Sequence, residues 1–336
     1  MQQTAVFLEN GQIYWYCVIL ALSVGVGVCF FMAGCAHREI SALRASASAL
    51  AAVLLSLLLS RILYWYCRSA DFESFTQALF LPRADAYALA GAFAGCAISA
   101  LVLGGSLEGT GNLLDGMSVA GCGAIALGRL GCFFTDADRG QSLAQLRSLP
   151  LAYPTVNAVS GVPEYRLATF VLQAIAALVV FVILAWLFFS RRGTKPGNLT
   201  LLFLQMYCAS QIVLDSTRYD ALHLRSNGFL NMVQMLAAIV LLLSFVMQTI
   251  TIVRAGYWRW AMAMSIGELA LLGAAGFLEY YVQRHGKLAA ACYGAMSLCM
   301  AGTAALAFVL WAMTERLPGK AEREQVEVCA ESDICE

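Results

Sequence analysis

The sequence predicts an all-helical bundle that crosses a lipid bilayer many times, and three observations predict it. The 336 residues are 60% hydrophobic and only 12% charged, where a soluble domain carries about 25% charged residues. Mean hydropathy is +0.73. The apolar residues also gather into long continuous runs, not the alternating segments of about ten residues that build a membrane barrel. A soluble chain of this composition would have no polar surface to present. The formal net charge is zero, so nothing points to nucleic acid or to an acidic partner.

A spanning helix needs about 20 apolar residues, and nine runs come near or above that length. The first, Tyr14–Gly34, is preceded by Glu9 and by no basic stretch, so it reads as a retained span and not as a removable signal peptide. The second is Ala45–Tyr66. The third, Ala86–Gly104, is rich in Gly and Ala. The fourth to sixth are Leu114–Phe134, Leu167–Phe189 and the short Leu199–Asp215. The seventh to ninth are Phe229–Val253, Ala261–Val282 and Leu288–Met313. Tyr14-Trp15-Tyr16, Tyr64-Trp65-Tyr66 and Tyr257-Trp258-Arg259-Trp260 fit aromatic belts at the membrane interfaces. The segment Thr314–Glu336 is charged and lacks apolar periodicity, and is expected to be a disordered cytoplasmic tail. Orientation by basic loops is nearly balanced. The compact Arg191-Arg192-Gly193-Thr194-Lys195 reads as cytoplasmic, which places the N-terminus and the loop Thr135–Arg166 outside and the C-terminus inside.

Charged residues within spans are expensive, so each is a candidate for function. They are Arg61, Arg129, Asp215 with Arg218 one turn beyond, and Glu268. Arg129, flanked by Gly128 and Gly131, has small neighbours that permit close helix approach or a lipid headgroup. A guanidinium fork matches phosphate oxygens two at a time. The same residue could also simply snorkel to the interface; on the residues alone both readings stand. Asp215 and Arg218, at i and i+3, also fit a plain helix-end ion pair, and Glu268 fits a satisfied contact inside the bundle. The loop Thr135–Arg166 holds Asp136, Asp138, Arg139, Gly140 and Tyr153-Pro154-Thr155. Loops this long in compact proteins are commonly functional, and this one should cover the end of the Arg129 segment. Cys17, Cys29, Cys96, Cys122, Cys208, Cys292 and Cys299 sit inside apolar runs, where they serve as small packable residues. No C-x-x-C pair and no metal-ligand spacing occurs, so neither a metal site nor another cofactor is expected.

Gly128-Arg129-Leu130-Gly131-Cys132-Phe133, with Gly140 downstream, resembles the G-R-[IL]-G-N-F-x-N-G-E-x-x-G signature of bacterial prolipoprotein diacylglyceryl transferases. Further similarities follow in order. Ile13-Tyr14-Trp15-Tyr16 resembles that family's first-helix entry. Ser60-Arg61-Ile62-Leu63-Tyr64 resembles its G-A-R-L-G-Y stretch, and Asn112-Leu113-Leu114-Asp115 an Asp-containing turn before the signature. Gln211 to Arg218 resembles an R-x-x-x-E-x-x-R block, and Asn231-Met232-Val233-Gln234 the entry to the last family helix. The resemblance covers about residues 10–253. It implies a transferase-like membrane domain over 1–253 with seven family-like spans, two additional spans over 254–313 and the tail 314–336.

The resemblance also implies a reaction in the bacterial plasma membrane: diacylglyceryl passes from phosphatidylglycerol to the lipobox cysteine thiol of a prolipoprotein, and glycerol phosphate leaves. Arg129, Gly128, Gly131, Gly140, Arg61 and Arg218 are then the expected phospholipid-binding residues. An arginine at the phosphate would stabilise the leaving charge in a water-poor site. The partners would be phosphatidylglycerol, the prolipoprotein signal peptide with its lipobox, and membrane lipids.

The departures fall on proton handling. The third-helix His-Gly-Gly is Ala90-Gly91-Ala92. The signature asparagines are Cys132 and Thr135, and the following Gly-Glu is Asp136-Ala137. The His-Pro string is reduced to Val162-Pro163. A thiol with an ordinary pKa of about 8.5 needs a proton acceptor. Of the three histidines, His37 and His285 are remote from the signature, which leaves His223, with Asp215 to orient or replace it and Tyr16 to hydrogen-bond the same site. Three function classes follow: a divergent transferase, a non-catalytic relative that binds phospholipid or precursor, and a small-molecule transporter. The last is disfavoured because no two halves of the chain repeat.

Overall fold

Large apolar side chains point outward from this molecule and polar ones point inward. Leu22, Leu101, Leu243 and Ile266 are each at least 60% exposed, while Asp115, Gln173, Gln205 and Asp215 are fully buried. That inversion is the arrangement hydrocarbon demands, because a polar group in lipid must find its partner within the protein. The computed structural model describes residues 4–8, 11–80, 87–135, 138–142, 151–156, 161–190, 194–219, 221–222, 231–285 and 288–317.

A hairpin of β1 (Thr4–Leu8) and β2 (Gly11–Tyr14) leads into α1 (Trp15–His37). Then come α2 (Ala42–Cys67), the one-turn α3 (Phe75–Phe80), α4 (Leu89–Leu103) and α5 (Leu107–Leu130). α5 tightens into a 3-10 turn over Gly131–Phe134. β3 (Ala152–Val156) and β4 (Pro163–Leu167) pair antiparallel, and five helices follow: α6 (Thr169–Ser190), α7 (Asn198–Ser216), α8 (Met232–Arg254), α9 (Trp258–His285) and α10 (Ala289–Arg316).

Each of the nine apolar runs contains a helix. Eight are long and apolar enough to span a membrane, and the ninth, α4, is shorter at 15 residues. α4 lies close against α2. A Cβ on Gly91 would collide with the Leu59 carbonyl, and one on Gly95 with the Ser56 backbone. Ser56 and Ser99 hydroxyls then tie the two helices through backbone carbonyls at 2.9 Å each. Small residues permitting close backbone approach, with serines as cross-links, are a normal way for helices to associate in lipid.

Two boundaries that differ from the sequence reading bear on the packing. α5 begins seven residues before Leu114, because Ser106 caps it by accepting the Gly109 N–H at 3.0 Å. The stretch Asn112–Asp115, likened to a turn, is therefore helical. Fully buried Asp115 instead accepts the Gly197 and Thr200 N–H groups at 3.0 and 2.9 Å, and so satisfies the start of α7. Finally, α10 runs on to Arg316, through the first residues of the expected tail. Asn198 donates to Glu315 at 2.7 Å, and Lys195 reaches the Thr314 and Leu317 carbonyls. The rest of the tail lies outside the described residues, as do Arg191, Arg192 and Gly193 of the basic loop.

These contacts gather the end of α1, the starts of α5 and α7 and the end of α10 at one face, where Arg38 donates to the Thr194 carbonyl at 3.0 Å. The opposite face collects the start of α1, the ends of α5 and α7, and the β3–β4 hairpin.

Candidate functional site

The ends of α5 and α7 bring two arginines to one carboxylate. Arg129, in the last turn of α5, pairs through Nη1 with Asp138 Oδ2. Arg218, just past α7, pairs through Nη2 with Asp138 Oδ1 at 2.8 Å and through Nη1 with Asp215 Oδ1 at 3.0 Å. Asp138 thus bridges guanidiniums from two helices, and all three side chains are nearly buried, at 11–15% exposure.

Local structure explains how Asp138 gets there. Residues 138–142 are laced between β4 and the turn after α7: the Gly140 N–H donates to the Leu167 carbonyl (2.8 Å), the Gln141 N–H to the Thr217 carbonyl (2.9 Å) and the Tyr219 N–H to the Arg139 carbonyl (2.9 Å). Gly140 has no room for a side chain, since a Cβ would sit 2.7 Å from Leu167 Cβ. Asp138 itself takes a left-handed φ of 57°, which a short polar side chain tolerates better than most. Arg139 fastens the hairpin over the 3-10 turn. It donates to the Cys132 and Thr135 carbonyls and lies over the rings of Tyr153 (3.9 Å) and Phe170 (4.8 Å). The Tyr153 hydroxyl donates to the Phe133 carbonyl at 2.9 Å.

On the α1 side, a Cβ on Gly131 would lie 3.2 Å from the Tyr16 ring, and one on Gly128 3.3 Å from Ser23 Oγ. The two glycines therefore let α1 close on α5, and Tyr16 is packed with Cys132 and Phe170. The Cys132 thiol donates to Asp138 Oδ2 at 3.5 Å. Tyr207 of α7, 2% exposed, adjoins the Arg129 guanidinium. Burial pushes the Asp138 carboxyl upward, but the Arg129 and Arg218 guanidiniums outweigh it and hold the carboxyl at about 2. It is therefore a permanent anion and a weak proton acceptor at neutral pH. Asp215 differs: its Oδ2 is buried and receives no hydrogen bond among the described residues.

Of the residues singled out from the sequence, Arg129, Gly128, Gly131, Tyr16, Gly140, Asp215 and Arg218 come together here. Arg129 is ion-paired inside the protein and does not snorkel. The Asp215–Arg218 pair forms as expected but also extends to Asp138. Arg61, 4% exposed on α2, donates to the Ala78 carbonyl of α3 at 2.6 Å and lies 5.0 Å from the Tyr87 ring. His223 lies outside the described residues. His37 and His285, remote from the signature in sequence, end α1 and α9. Glu268 is 1% exposed and faces the bundle interior near Thr303.

Sequence reasoning did not assign Asp138, Arg139 or Tyr207 to the site. The available signal for Asp138 was charge balance: two arginines at the edge of hydrocarbon need an anion, and the loop between them supplied one two residues before Gly140. Tyr207 carried no signal, since an aromatic in an apolar helix looks like core.

The prolipoprotein diacylglyceryl transferase family matches residues 3–250. Among curated proteins, the phosphatidylglycerol–prolipoprotein diacylglyceryl transferase of Streptococcus equi subsp. equi (strain 4047) is 28% identical over 120 residues, which is 35% of this chain and 46% of that protein. The chain thus spans about half the length of the curated relative it matches. α9 and α10 lie beyond the family match.

Proposed function

The chain belongs to the prolipoprotein diacylglyceryl transferase family, and from that premise we propose that it moves diacylglyceryl from phosphatidylglycerol to the lipobox cysteine of a prolipoprotein, in a bacterial plasma membrane. The observation that carries this reading is the convergence of Arg129 and Arg218 on one buried carboxylate. Two guanidiniums so placed form an anion clamp. Arg129 has five N–H donors, and Asp138 takes only part of that capacity. The headgroup phosphate enters beside Asp138 or in its place. The thiolate sulfur forms a bond to the terminal glyceryl carbon, the carbon–oxygen bond to phosphate breaks, and the clamp stabilises the departing glycerol phosphate.

The thiol proton needs an acceptor, and Asp138 is too acidic to be an effective one. Asp215, with one carboxylate oxygen outside any hydrogen bond among the described residues, is the better candidate. His223 follows eight residues later, and Tyr16 is the residue we assign to hydrogen-bond the incoming group. We expect His223→Ala or Asp215→Asn to slow lipidation by about 10²–10⁴-fold, the usual range for a lost acid–base group. Full activity in both variants would remove them from the mechanism.

A second reading, a phospholipid- or precursor-binding relative without turnover, is favoured by one observation: Ala90 stands where the resembled family carries its third-helix histidine. Complementation of transferase-depleted bacteria separates the two. A shift in prolipoprotein mobility supports turnover. Co-purified phosphatidylglycerol with no shift supports the binding relative.

A further inference from the structure

The last two helices touch the site at two points. Ser216, the final residue of α7 and the neighbour of Asp215, donates its hydroxyl to Glu279 Oε2 on α9. Gln141, which follows Arg139 and Gly140, donates through Nε2 to the Tyr293 hydroxyl on α10 at 2.9 Å. Tyr293 is also within hydrogen-bond reach of Ser216. Gln141 donates to Tyr293, which adjoins Ser216, and Ser216 donates to Glu279, whose Oε1 accepts from Gln283 at 2.6 Å. The Gln141 N–H meanwhile holds the Thr217 carbonyl at 2.9 Å.

We infer that α9 and α10 form a brace for the anion clamp, with Glu279 and Tyr293 as positioning residues that fix, through Ser216 and Gln141, the two segments carrying Arg218 and Asp138. Packing alone does not account for these side chains. An apolar layer of Val213, Leu241, Ala275 and Met296 already joins α7, α8, α9 and α10 beneath them. Glu279 is 3% exposed, and a buried carboxylate costs free energy that packing does not return. What it does is hold Ser216 at the end of α7, where the chain turns into Arg218. The expected effect on turnover rests on the transferase reading; the expected effect on the site's rigidity does not.

Hydrogen exchange on the full-length protein in phosphatidylglycerol-containing nanodiscs tests the brace directly. In a Glu279→Ala, Tyr293→Phe double variant we expect the amides of Gly140, Gln141 and Tyr219 to exchange about tenfold faster or more. The amides of Gly197 and Thr200, held by Asp115 at the opposite face, should keep their parental rates. Glu279→Gln alone, which still accepts from Ser216, should keep the parental protection. If the parent lipidates a precursor, the double variant should lose turnover with little change in the KM for phosphatidylglycerol. Unchanged exchange at Gly140, Gln141 and Tyr219 overturns the brace, and so does a uniform rise that includes Gly197 and Thr200. Local loosening in a parent that lipidates nothing upholds the brace and defeats the transferase reading.

Discussion

Arg129 presents a planar fork, and a lysine in its place would keep the charge while losing the two-pronged contact. Arg129→Lys is therefore expected to lower both phosphatidylglycerol co-purification and lipidation. The loss of one charge-assisted bond, about 1.5–3 kcal/mol, corresponds to roughly 10- to 150-fold. A lysine variant equal to the parent in both measurements would end the headgroup role. Asp138 is the counter-ion, and its carboxyl is lowered from 3.8 to about 2 in the folded chain. A folded value below the unfolded one stabilises the fold in full above the unfolded value, and that stabilisation is lost as pH falls through the folded one. The parent's unfolding temperature in detergent should therefore drop between about pH 4 and pH 2. Asp138→Asn should lack the part of this drop that the pairing contributes. It should also be less stable at neutral pH by about 3–5 kcal/mol, because two buried guanidiniums lose their shared anion. An asparagine variant as stable as the parent at pH 7 would contradict the pairing.

Among the elements, α4 depends most on a single kind of residue. Its short length keeps it from anchoring itself by lipid burial alone, and its contact with α2 relies on bare backbone at Gly91 and Gly95. Gly95→Ala should push the two helices apart and cost about 1–3 kcal/mol, whereas Gly121→Ala, with nothing within 4 Å of the added carbon, should be near neutral. Thermal unfolding of both variants in the same detergent checks this, and equal midpoints would show that the close approach is dispensable. The β3–β4 hairpin is the reverse case. Its place is set by Arg139, which clasps Tyr153, Phe170 and the carbonyls of Cys132 in the 3-10 turn and Thr135 just after it. None of these contacts follows a local periodicity, so no sequence pattern announces it.

For the molecule as a whole, the nine apolar helices put the start of α1 and the end of α10 on opposite faces, with the arginine cluster on the face where α1 starts. Val162, 58% exposed beside the hairpin, and Ser41, exposed before α2, therefore belong to opposite sides of the bilayer. We expect Val162→Cys to react with an impermeant thiol reagent from outside the cell, and Ser41→Cys only after the membrane is opened. Thr194, in the basic loop, is a poor reporter because Arg38 holds it buried. Labelling of both exposed positions from the same side would refute this topology.

The fold class, the number of apolar helices and the identity of Arg129, Arg218 and the flanking glycines were legible in the sequence, because hydrocarbon imposes length and composition on every span and leaves intramembrane charges conspicuous. Which groups meet was not legible. Asp138 is nine residues from Arg129 and eighty from Arg218, and only the lacing of 138–142 between β4 and the end of α7 brings one carboxylate to both arginines. Asp115 likewise looked like part of a turn until α7 was seen to start on it. Nor does an apolar run reveal that Glu279 and Tyr293 reach Ser216 and Gln141. Hydrophobic pattern tells a helix to enter the membrane, but the partner of a buried polar group is chosen by which helices pack side by side, and that is decided only when the bundle closes.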